Sequence, residues 1–196
     1  MARSFIISEG EDLISDSGTV LWSLVVGEQL EYPITLNFVE DVTENYTYEA
    51  KLIEANNEVG QLSAPVAIRN NGTVTDINVR VPIKRGNWDA AQAYNKEEIV
   101  IYQGKPYKLL GGVARTSSLL PTQDSMWEET SLSKIYLQFP KSLGDTWSVK
   151  PGIGYAVYGF FELRVTEPPD YIFTRTWKPI RGMVQLQYSP TYSVGD

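Results

Sequence analysis

Apolar and polar residues alternate with a period of two through much of this chain, the spacing of a strand with one buried face. Tyr32, Ile34, Leu36 and Phe38 alternate with Pro33, Thr35 and Asn37. Tyr46–Ile53 repeats the pattern before Asn56 and Asn57 end it. Val20–Val26 is a nearly unbroken apolar run and reads as a buried strand, with Gly27 and Glu28 as the turn after it. Val66–Ile68, the turn Asn70-Asn71-Gly72 and Val74–Val81 predict a hairpin, because Asn-Gly suits turn positions of positive φ. Pro82 closes that strand. Farther on, Ile135–Phe139 is a short strand stopped by Pro140, and Tyr155–Val165 is the longest candidate, broken by Glu167–Asp170. Gly182–Tyr188 makes the last strand, and no stretch holds a helical period beyond about two turns. Residues 1–16 read as an arm, with apolar Phe5, Ile6 and Ile7 followed by acidic Glu9, Glu11, Asp12 and Asp16.

About seven short strands with regular turn signals predict an all-β chain built on an immunoglobulin-like β-sandwich. Composition agrees: 12 tyrosines and 5 tryptophans favour strands, and 11 prolines and 15 glycines supply frequent turns. The absences narrow the chemistry. With 0 cysteines and 0 histidines, no disulfide, thiol nucleophile, Ser-His unit or imidazole metal site can be built. No cofactor is expected. A net charge of −7 argues against nucleic acid as a partner, since phosphate backbones need a positive surface. No run approaches the roughly 20 apolar residues of a membrane span. The start of the chain turns acidic before any signal-like run develops, so a protein made in a cytoplasm without a secretion signal is expected. On that reading the acceptor patterns at Asn45 and Asn71 carry no meaning.

Residues 86–130 have a different texture. Val100 and Tyr102 share a strand, Gln103-Gly104 is a tight turn, and Tyr107 lies on the returning strand. Trp88, Tyr94 and Trp127 are large enough to core so small a unit. The order Trp88, Tyr94-Asn95, Val100, Tyr102, Gly104, Tyr107-Lys108, Pro121, Trp127 closely resembles the small chitin- and cellulose-binding modules of bacterial chitinases. The resemblance implies a three-stranded β module, with Tyr107, Trp127 and Trp88 as carbohydrate contacts or, alternatively, as core. Two departures from the family pattern stand out. Glu97 occupies a position where the family usually has glycine. Leu109-Leu110-Gly111-Gly112 stands where an exposed aromatic pair typically follows, which removes the expected platform for sugar stacking.

If 86–130 is an insert, residues 1–85 and 131–196 must together form the sandwich, since neither piece has enough strands alone. The flanks resemble phage proteins. Strands at 32–38 and 46–53 around Asp41 are similar to the immunoglobulin-like attachment domain of phage upper-baseplate proteins. Gly154–Val165, Gly182, Val184 and Tyr188–Thr191 are similar to structural proteins of phages, especially those of cyanobacteria. The resemblance implies a non-enzymatic virion protein of tail, fibre base or capsid surface. Its partners would be other virion proteins in multiple symmetric copies, with Phe5, Ile6 and Ile7 laid against a neighbour. Host-surface polysaccharide is a further expected partner, and a dedicated carbohydrate-binding receptor protein is the alternative. A glycosidase using paired carboxylates among Glu97, Glu98, Glu128 and Glu129 is the least favoured reading. Few lysines guard 155–165 or 182–188, so those strands are expected to need covering by other subunits.

Overall fold

The computed structural model describes residues 5–8, 13–14, 20–26, 30–37, 43–58, 65, 67–111, 119–152, 155–168 and 176–188. In chain order its strands are β1 (Phe5–Ser8), β2 (Leu13–Ile14), β3 (Val20–Val26), β4 (Leu30–Asn37), β5 (Thr47–Glu54), β6 (Val74–Arg80) and β7 (Lys84–Asn87). They continue as β8 (Ile99–Tyr102), β9 (Lys105–Leu109), β10 (Trp127–Glu129), β11 (Lys134–Phe139), β12 (Val157–Thr166) and β13 (Thr176–Tyr188). A single 3-10 turn, Thr43–Asn45, precedes β5, and no α-helix occurs among the described residues.

The strands form two sheets. The larger has nine strands in the order β1-β4-β11-β6-β5-β12-β13, with β2 and β3 both on the outer side of β13. The smaller has four, in the order β10-β9-β8-β7. Neighbouring strands lie about 4.8 Å apart, so five steps would hold β3 about 24 Å from β11 in a flat sheet. Yet the Trp22 ring of β3 is 6.3 Å from Phe139 of β11 and 5.0 Å from Phe161 of β12. The large sheet therefore folds over on itself as a two-layered β-sandwich around one core. Leu52, Leu137, Leu163 and Ile180 are fully buried there. Strand β12 shows the cause, because Phe161, Leu163 and Val165 point inward while Glu162, Arg164 and Thr166 alternate with them. Opposite β12, Pro179 lies in β13 beside a register shift between Leu163 and Val165, where a residue without an N–H is tolerated.

One acidic residue sits among these apolar ones. Glu54 ends β5 on the inward side and is fully buried. Its carboxylate accepts hydrogen bonds from the backbone N–H groups of Thr73 at 3.2 Å and Ser148 at 2.8 Å. Arg69 approaches to 3.9 Å. Burial alone would raise the pKa of this carboxyl, but the N–H donors of Thr73, Ser148 and Val149 and the charge of Arg69 outweigh it and lower the pKa below the usual carboxylate value. Glu54 thereby ties the turn before β6 and the loop after β11 to the end of β5.

Two expectations need correction. The predicted hairpin from Val66–Ile68 into β6 does not form: β6 pairs with β5, and Ile68 makes only an isolated bridge to Ala55. Main-chain bonds explain this, since Glu54 donates to the Thr73 carbonyl and Arg69 donates back to the Glu54 carbonyl. Residues 155–165 and 182–188 need no guarding lysines, because β12 and β13 are both interior to the sheet. Phe5, Ile6 and Ile7, expected against a neighbouring subunit, lie in β1, which runs parallel to β4 with Phe5 opposite Ile34 and Ile7 opposite Leu36. Their side chains, and residues 1–4, 9–12 and 15–19, lie outside the described residues.

Candidate functional site

The small sheet comes from one continuous stretch, residues 84–129, and has its own core. It has four strands rather than the three expected, because Lys84–Asn87 adds β7 in parallel to β8. The β8–β9 turn is made by Gln103 and Gly104, with φ of 51° and 77°. Those paired positive values are the geometry of a tight two-residue hairpin. Val100 pairs with Tyr107 across it, and Glu128 pairs with Lys108 in the next strand over.

Tyr94, Val100, Tyr107, Leu109 and Trp127 are buried together, with Trp88, Tyr102 and Met126 packed half-buried around them. Tyr94 meets Trp127 edge to face at 5.5 Å. The Tyr94 hydroxyl accepts from the Asp89 N–H at 2.8 Å and so holds the segment after Trp88 in place. Trp88 and Tyr102 form a second edge-to-face pair at 5.6 Å and 81°. Gln103 donates its amide to the Tyr102 hydroxyl at 3.3 Å. This half-exposed aromatic pair at the hairpin tip, beside an amide, can offer ring surface and a polar group to a flat, hydroxyl-rich ligand.

Successive residues of a strand point to opposite faces. Tyr107 enters the aromatic cluster, so Lys108 points the other way, toward the large sheet. There Lys108 donates to the Tyr136 hydroxyl at 3.2 Å, while the Arg80 guanidinium lies 4.3 Å from the centre of the same ring. Arg80 also pairs with Glu97. Burial would depress Lys108, but its bond to Tyr136 and the nearby carboxylates outweigh this and raise its pKa. Burial, then the charge of Lys108, lowers the pKa of neighbouring Lys134. A cleft of about 280 Å³ runs along this seam, lined by Arg80, Pro82, Ile83 and Glu97 among others.

The residues singled out from sequence divide cleanly. Tyr107 and Trp127 are each 7% exposed and pack in the core of the small sheet, the second of the two roles the sequence left open. Trp88 keeps exposed surface. Leu109 is fully buried and Leu110 is 43% exposed, so replacing the usual aromatics removes one surface ring rather than two. Each of the four candidate catalytic carboxylates faces a cation: Glu97 faces Arg80, Glu98 faces Arg85, Glu128 faces Lys108 and Glu129 faces Lys105. Glu98 is buried and also accepts from the Asn95 backbone at 2.9 Å. Tyr102 was not among the predicted contacts, although its place beside the turn is the signal that leaves it near the surface. No cluster of three or more metal-binding side chains, and no helix long and apolar enough to cross a membrane, occurs among the described residues. Comparison with protein-family models and with the curated proteins finds no match for this chain.

Proposed function

We propose that this chain is a non-enzymatic structural protein of a phage particle, an immunoglobulin-like scaffold carrying a small binding module that contacts host-surface glycan. The scaffold is residues 1–85 with 131–196, and the module is 86–130, extended by the start of β7. The observation that carries this reading is the way the small sheet is mounted. Strands β6 and β11 are antiparallel neighbours, with Arg80 opposite Tyr136, and the whole of β7 to β10 is the connection between them. An insert at such a place needs no rearrangement of its host, because the two strand ends already lie side by side.

Trp88 and Tyr102 are the glycan contacts in this reading, on the face turned away from the scaffold. Aromatic rings suit sugars because they offer a flat apolar surface with few rotamers to freeze. The carboxylates paired with cations support binding rather than hydrolysis. Place on a particle rests on the resemblance of the flanks to phage structural proteins.

The test has two arms. Antibody raised to the purified chain should decorate intact phage particles in electron micrographs. Retention on host-envelope polysaccharide should fall at least tenfold in Trp88→Ala and Tyr102→Ala, with the circular dichroism of both variants unchanged. Unlabelled particles would remove the virion assignment, and undiminished retention would remove the aromatic pair as the contact.

A further inference from the structure

The free edges of the two sheets are not alike. β10 is three residues long and two of them are Glu128 and Glu129, while β7 carries Lys84 and Arg85. β1 has four residues and β2 has two. Short length and charge are the usual guards against edge-to-edge pairing. β3 has neither guard. Its seven residues, Val20–Val26, include no charge and no proline, and span about 23 Å. It pairs with β13 on one side, and among the described residues no strand lies on its other side.

We propose that β3 pairs antiparallel with β3 of a second copy of this chain, about a two-fold axis through Ser23. The strand reads almost alike in both directions. Pairing about Ser23 sets Val20 against Val26, Leu21 against Val25 and Trp22 against Leu24. Every cross-strand pair away from the axis is then apolar, and no like charges meet although each copy carries −7. Ser23 is exposed and its hydroxyl donates to Gln185 at 2.8 Å, so the axis position is small, polar and open to approach. The same patch serves both copies, as a closed two-fold interface requires. This pairing goes beyond the particle reading and does not need it, since it concerns the purified protein alone.

Sedimentation of the purified chain should show a dimer that dissociates on dilution. Ser23→Lys, which sets two ammonium groups face to face on the axis, should sediment as a monomer with an unchanged circular dichroism spectrum. Ser23→Thr should remain dimeric. The chain has no cysteine, so single cysteines can read the register. Directly opposed residues have Cα atoms about 4.5–5.5 Å apart, within disulfide range. Ser23→Cys should therefore cross-link under copper-phenanthroline oxidation. Val25→Cys, which meets Leu21 of the other copy, should not. A wild-type monomer at all concentrations, a dimer that survives Ser23→Lys, or equal cross-linking of both cysteine variants would each overturn the proposal. A dimer from a protein that never labels particles would leave this inference standing and remove the virion assignment alone.

Discussion

Glu97 holds a backbone φ of 70°, in the left-handed region where a side chain costs about 1–2 kcal/mol. The resembling modules usually have glycine at that position, and the geometry gives the reason. Here the strain comes with a gain, because the carboxylate reaches Arg80 of the large sheet. Glu97→Gly should relieve the strain and lose a half-exposed ion pair of similar size, about 1 kcal/mol or less. The melting temperature should scarcely move. The orientation of the small sheet should loosen, which nitrogen-15 relaxation would detect as separate tumbling of residues 86–129. Glu54 behaves oppositely, as a group the fold depends on. Its folded pKa is depressed, so its contribution is fully present above the unfolded carboxylate value and is lost as pH falls through the folded value. Urea unfolding of the wild type should therefore weaken with acid below about pH 4, where an ordinary glutamate begins to protonate. Glu54→Gln should cost about 1–3 kcal/mol at neutral pH and flatten that acid dependence.

Strands were legible in the sequence wherever one face is buried, because a period of two survives any tertiary arrangement. Val20–Val26, Ile135–Phe139 and Gly182–Tyr188 all lie in strands that the structure contains. Pairing was not legible, since the partners of β13 are β12 next to it in sequence and β3 from the far end of the chain. The 66–72 turn misled because Asn-Gly marks a change of direction without choosing the strand that β6 will pair with. At the candidate site, the aromatic cluster could be read from spacing, but which ring stays exposed could not. Tyr107 lies mid-sheet and is covered, whereas Tyr102 sits at the hairpin tip. A glycine at a close crossing gives a sharper element-scale test. The loop after β11 lays Trp147 over Gly159 of β12, where an added Cβ would sit 2.6 Å from the indole and 2.9 Å from Leu52. Gly159→Ala should cost about 1–3 kcal/mol through overpacking, read from thermal melting. Trp127→Ala should cost about 3–5 kcal/mol, enough to unfold the small sheet selectively, visible as loss of amide protection in β8 to β10 alone.

Across the whole molecule, β6 and β11 make the junction that decides whether the small sheet is separable. Extending the register of Arg80 with Tyr136 sets Ile83 opposite Ser133. Replacing residues 84–132 by an Asn-Gly turn should therefore leave a hairpin and a folded, cooperative large sheet. An unfolded product would mean that the two sheets stabilise each other and form one unit. The order in which these parts can form is set by the chain's path. Everything the small sheet requires has left the ribosome by Glu129, and its contacts are local. β3, near the start, finds its partner only when Met183–Tyr188 emerges. From Glu129 until β12 begins at Val157 the small sheet is the one complete sheet, and it draws β6 and β11 together before β12 and β13 exist. Pulsed hydrogen exchange during refolding should protect β8 and β9 well ahead of β3. Until the last strand arrives, β3 is an uncharged apolar segment with nothing beside it, the stretch of the nascent chain a chaperone would hold.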